Sequence, residues 1–122
     1  MNLPVSINTV GSIVTLALGV FGLFLPASAA RLVGLEPDGE RGISEIRATY
    51  GGVFLALGIF ATIAQTSDVF RVLGVAWIGA GAARSFSYVH DNSRSPANLG
   101  AIVVELAVGA SMLVPWDRFV GG

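Results

Sequence analysis

The sequence predicts an all-α fold, an antiparallel four-helix bundle integral to a membrane. Three observations predict it. Of the 122 residues 53% are hydrophobic and only 12% charged, with a mean hydropathy of +0.74, whereas a soluble domain carries roughly 25% charged residues to solvate its surface. Four stretches are mainly apolar over about 20 residues, the length that crosses roughly 30 Å of hydrocarbon. Short polar connections with proline and glycine punctuation separate them, and the length suits a single transmembrane domain over 1–122.

The elements follow in order. Helix one is expected over about 5–25: Thr9 to Ala30 carries no charge, Pro4 suits a first turn, and Pro26 cannot continue the helix. A short helix over 27–35 would lie at the headgroup level with Arg31 snorkelling, a plain loop being the alternative. The Gly34–Gly42 stretch, GLEPDGERG, reads as an exposed turn. Helix two is expected over about 45–65, with Ser44 as cap and Glu45 as an acid in its first turn. Only Gln65 to Asp68 precede helix three, about 69–89, so these two helices form a hairpin. Ser95 and Pro96 open helix four, about 97–114.

Two other patterns point elsewhere and carry less. Ala27-Ser28-Ala29 after an apolar run resembles a signal-peptide cleavage site, but no Lys or Arg precedes the run, which argues for a retained helix. The stretches TLALGVFGLF at 15–24 and FLALGIFATI at 54–63 resemble each other. Helices one and two run in opposite directions and the match is brief, so composition accounts for it.

Composition excludes several function classes. A net charge of −1 offers no field for nucleic acid. With no cysteine there is no disulfide, thiolate zinc site or cysteine nucleophile. The 16 glycines are scattered through the spans and form no GxGxxG or P-loop. His90 beside Asp91 is a solvated loop pair, so no metal and no cofactor are expected. Trp77 reads as packing and Trp116 as an interfacial anchor.

Charges inside a span are the informative feature, each costing about 2.5 to 3.5 kcal/mol at a helix centre. Arg84 in helix three and Glu105 in helix four lie roughly 8 and 10 Å from the shared loop, from a rise of about 1.5 Å per residue. Glu45 and Arg47 enter the same leaflet, so the four charges are expected to meet at one depth. Tyr50, Ser85 and Tyr88 would complete the hydrogen bonding. Ala101 and Gly109 around Glu105, with Ala80 and Gly81 below Arg84, read as helix-contact faces. No catalytic residue is assigned. The arginine count favours loops one and three on the cytoplasmic side of a bacterial inner membrane.

The Glu45-Ile-Arg47-Ala-Thr-Tyr50-Gly51-Gly52 element, Ala-Arg84-Ser, the Asp-Asn-Ser-Arg-Ser-Pro loop and Glu105 resemble the bacterial membrane proteins of the domain of unknown function 4345 family over nearly the whole chain. The resemblance implies four transmembrane helices and no established reaction. A more distant similarity is to the DoxX-like four-helix membrane proteins, from which no residue is carried over.

Three roles fit. The first is a structural or accessory subunit, or one that binds a lipid- or isoprenoid-like ligand, with a buried Glu/Arg network. The second is a small enzyme using a buried carboxylate as general acid or base on an apolar isoprenoid, sterol-like or quinone-like substrate. The third is an oligomeric small-molecule transporter. The expected partners are the bilayer, such a ligand, and a larger membrane complex or further copies of the chain.

Overall fold

The computed structural model describes residues 3–115, and all regular structure in them is helical. α1 (Leu3–Phe24) is apolar throughout apart from small polar side chains. It stops before Pro26, whose nitrogen carries no hydrogen for a further turn. α2 (Pro26–Leu32) takes that proline into its first turn, where the missing N–H is harmless, and holds Arg31 in its last. Against the short helix expected at 27–35, this one begins one residue earlier and ends three residues earlier.

α3 (Gly39–Ala64) does not start at residue 45 with Ser44 as its cap. It starts at Gly39, with Asp38 in the cap position and no side-chain cap bond. The second half of the Gly34–Gly42 stretch is thus helix. The physical reason is amphipathicity: Glu40, Arg41, Ser44 and Glu45 are exposed while Ile46 is buried, so the first turns score as loop by hydropathy yet keep a helical period. Gly42 makes the reversal tight, since a Cβ there would come within 2.9 Å of the Pro37 carbonyl carbon.

Within α3, Arg47–Val53 is a seven-residue π-helical segment. Ile46 and Gly51 are both buried, although five residues of α-helix would set them about 140° apart. The i→i+5 turn returns both to one face. Gly58 and Ala61 continue that face at α spacing.

α4 (Ser67–His90) follows after only Gln65 and Thr66. Gln65 sits in the left-handed region at φ 53, and the Thr66 hydroxyl accepts from the Val69 amide, a cap the sequence reading leaves out. α5 (Pro96–Met112) opens as expected, the Ser95 hydroxyl accepting from the Asn98 amide at 3.0 Å. α1, α3 and α4 contain windows long and apolar enough to cross a membrane, and α5 is a shorter apolar helix of 17 residues.

The chain divides into two compact units, Ser12–Ala64 and Met1–Gly11 with Gln65–Gly122. In the first, α1 and α3 run antiparallel with glycines at the contact. A Cβ added at Gly19 would strike the Leu55 backbone, at Gly58 the Leu16 backbone, at Gly22 the Tyr50 carbonyl, and at Gly51 the Leu23 backbone. These pairings give the recurrence of 15–24 and 54–63 a use. Leu16 and Gly19 of one Leu-Ala-Leu-Gly lie on Gly58 and Leu55 of the other, so two copies of one word meet head to tail through a local two-fold relation. Opposite direction, which argues against a repeat in sequence, is what makes the repeat self-complementary in space.

In the second unit α4 and α5 form an antiparallel hairpin. Gly74 faces the Gly109 carbonyl and Leu113, Ile78 fills the space beside Gly109, and Gly81 lies under Leu106. Phe70, Leu73, Trp77, Ile102 and Met112 are buried, which places Trp77 in packing as expected. Trp116 lies outside the described residues, as does Arg118.

Candidate functional site

The polar centre of the α4–α5 hairpin is built from the Arg84–Glu105 pair. Arg84 Nε donates to Glu105 Oε1 at 2.6 Å and Nη2 to Oε2 at 3.2 Å, the two-pronged geometry that a planar guanidinium offers a carboxylate. Arg84 Nη1 donates to Asn98 Oδ1 at 3.0 Å. The two side chains retain 28% and 11% of their exposure. Antiparallel packing brings late α4 beside early α5.

Asn98 carries the network onward. Its Nδ2 donates to the Ser93 carbonyl at 2.9 Å and to the Ser93 hydroxyl at 3.1 Å. That hydroxyl lies 3.3 Å from Ser87 Oγ, which donates to Asp91 Oδ2 at 2.7 Å. A continuous ladder of polar contacts therefore joins the buried carboxylate to the loop between α4 and α5. Sequence reasoning passed over Asn98, because an amide three residues after a cap looks like part of the cap. A polar residue about two turns before Glu105, on the same face of the same helix, is the signal that would have found it.

The remaining expected site residues have other partners. Ser85 Oγ donates to the Gly81 carbonyl of its own helix at 2.8 Å, and the Tyr88 carbonyl accepts from Arg94. Gly81 and Gly109 are buried as helix contacts, but Ala80 is exposed, since it lies on the far side of α4 from α5. In the unit Ser12–Ala64, Glu45 Oε1 accepts from Thr49 at 3.0 Å, one turn on, and both residues are exposed. Arg47 Nη1 donates to the Leu23 carbonyl. This is a cation on the last turn of α1, where carbonyls lack partners because Pro26 follows. Tyr50 lies in the π-helical segment with its ring 6.1 Å from Phe54.

One buried polar stripe went unread. Asn8, Ser12 and Thr15, at spacings of four and three on α1, are at most 2% exposed. Asn8 Nδ2 donates to the Ser111 carbonyl at 2.6 Å, capping the end of α5, and Thr9 exchanges hydrogen bonds with Gln65. The helical spacing of these neutral polar residues is the available signal, and it is faint because uncharged groups blend into an apolar average. His90 is exposed and stacked on Phe86, ring centroids 4.9 Å apart.

The fold defines an all-helical protein with membrane-length helices and an ion pair between two of them. A family model described as Domain of unknown function (DUF4345) matches residues 7–115, and the chain belongs to that family. No curated protein and no solved structure matches it.

Proposed function

We propose that the protein is a structural or accessory subunit of a bacterial inner membrane, folded as an antiparallel four-helix bundle with α5 as the fourth span. One observation carries the reading: Arg84 and Glu105 are joined by a two-pronged ion pair between α4 and α5. Both carboxylate oxygens accept from Arg84, and all three guanidinium nitrogens donate to Glu105 or Asn98, so the pair ties α4 to α5 in one register. α5 rises about 25 Å at 1.5 Å per residue, and the apolar Leu113 and Val114 beyond it lengthen the span. Loops one and three face the cytoplasm, following the arginine excess. Within this reading Glu45 and Arg47 serve α3 and the end of α1.

Many large apolar side chains are exposed, Ile63, Val72, Phe86 and Val103 among them, as suits contact with lipid or a companion subunit. Mild detergent extraction followed by native mass spectrometry tests the role. A retained companion protein is the expected result, and recovery of a bare monomer overturns it.

A further inference from the structure

The connection from α1 to α3 holds a cavity of about 390 Å³ lined by Ala27, Arg31, Gly34, Leu35, Glu36 and Pro37. Ligand clefts run from about 300 to 1,000 Å³, so there is room for a small polar group. Its lining carries one cation and one anion. Among the described residues neither forms an ion pair, and the recorded side-chain partner of Arg31 is the Ser28 hydroxyl at 3.1 Å. Two opposite charges on one cavity, exposed and not joined in an ion pair, fit a ligand that carries both signs.

The surroundings add the second half of that ligand. The apolar window of α1 ends at Phe24, immediately before this elbow, while Phe24, Leu25 and Leu32 are 67%, 57% and 66% exposed. Polar residues from Glu36 to Arg41 follow. An open cavity that carries one charge of each sign, with exposed apolar side chains nearby at the end of a long apolar helix, suits a lipid headgroup.

We propose that this elbow binds the phosphoethanolamine group of a zwitterionic phospholipid, Arg31 taking the phosphate and Glu36 the ammonium. An anionic headgroup without an amine would satisfy Arg31 but face Glu36 with like charge. A choline headgroup offers Glu36 no N–H donor. The proposal rests on the membrane reading above but not on any accessory role.

The test is native mass spectrometry of the full chain in mild detergent, titrated with phosphatidylethanolamine, phosphatidylglycerol and phosphatidylcholine of matched acyl chains. Wild type should retain the ethanolamine lipid best. Arg31→Gln should lower that retention about tenfold, the scale of one charge-assisted contact. Glu36→Gln should reverse the preference toward phosphatidylglycerol, a change of selectivity that damage to the fold would not produce. Both side chains are exposed, and far-UV circular dichroism confirms that each variant is folded. Displacement of the lipid by soluble glycerophosphoethanolamine would extend the site to the free headgroup, and failure to displace it would confine the site to bilayer lipid. Equal retention of the three lipids, or an unchanged preference in Glu36→Gln, overturns the proposal. Neither result bears on companion proteins, so the two readings fail separately.

Discussion

The α1–α3 pair and the α4–α5 hairpin solve one problem in two ways. Each sets two apolar helices antiparallel, and in a bilayer the hydrophobic effect would give little preference for protein over lipid. In α1–α3 the approach is backbone on backbone: the nearest atoms beside Gly19, Gly22, Gly51 and Gly58 are main-chain atoms of Leu55, Tyr50, Leu23 and Leu16. In α4–α5 the atoms beside Gly81 and Gly109 are mostly ends of Leu106 and Ile78 side chains, and register is fixed by Arg84 and Glu105. The first contact is specified by what is absent, the second by what is charged. A rigid neighbour cannot yield to an added methyl group, whereas a leucine tip can turn aside.

The largest expected effect tests that contrast directly. Gly58→Ala should destabilise by about 3 kcal/mol or more, above the usual range for overpacking because only a helix shift relieves it, while Gly81→Ala should cost about 1 kcal/mol. Unfolding in mixed detergent micelles, followed by circular dichroism, checks both, and equal costs would erase the distinction between the pairs. Next comes Glu105→Ala, which strands Arg84. The expected loss is about 3 kcal/mol, the low end for breaking a buried pair because Arg84 keeps 28% exposure. The double change Arg84→Met with Glu105→Leu should recover most of it, since matched apolar groups replace such pairs at little cost. Asn98→Ala removes the hydrogen bond from Arg84 and the two to Ser93 and should cost about 1 to 2 kcal/mol in the same melt. Glu36→Gln is the smallest, within about 0.5 kcal/mol for an exposed side chain. A Glu105→Gln variant that melts like Glu36→Gln would show that the pair does not hold the hairpin.

Legibility in sequence followed the strength of the underlying penalty. The limits of α1 and α4 were readable because each is one long apolar run, and Pro26 and Ser95 act through bond geometry that needs no tertiary context. Arg84 and Glu105 were readable because an isolated charge in hydrocarbon is too costly to stand alone. Asn8, Ser12 and Thr15 went unread, as neutral polar groups cost less and blend into an apolar average. The start of α3 was lost for the opposite reason: Glu40, Arg41 and Glu45 make its first turns look like solvent-exposed loop. The use of 15–24 against 54–63 was hidden because self-complementarity belongs to a pair of surfaces, and a single strand of text shows only resemblance.

The π-helical turn at Arg47–Val53 makes this stretch sensitive to residue number before residue type. Remove any one of its seven residues and an ordinary α-turn closes, swinging everything before it by about 100°. Ile46 would leave the face it shares with Gly51, and the cationic hand that Arg47 lays on the end of α1 would point elsewhere. Between Ile46 and Phe54, then, a substitution edits a contact, but a single deleted codon would redirect the elbow itself.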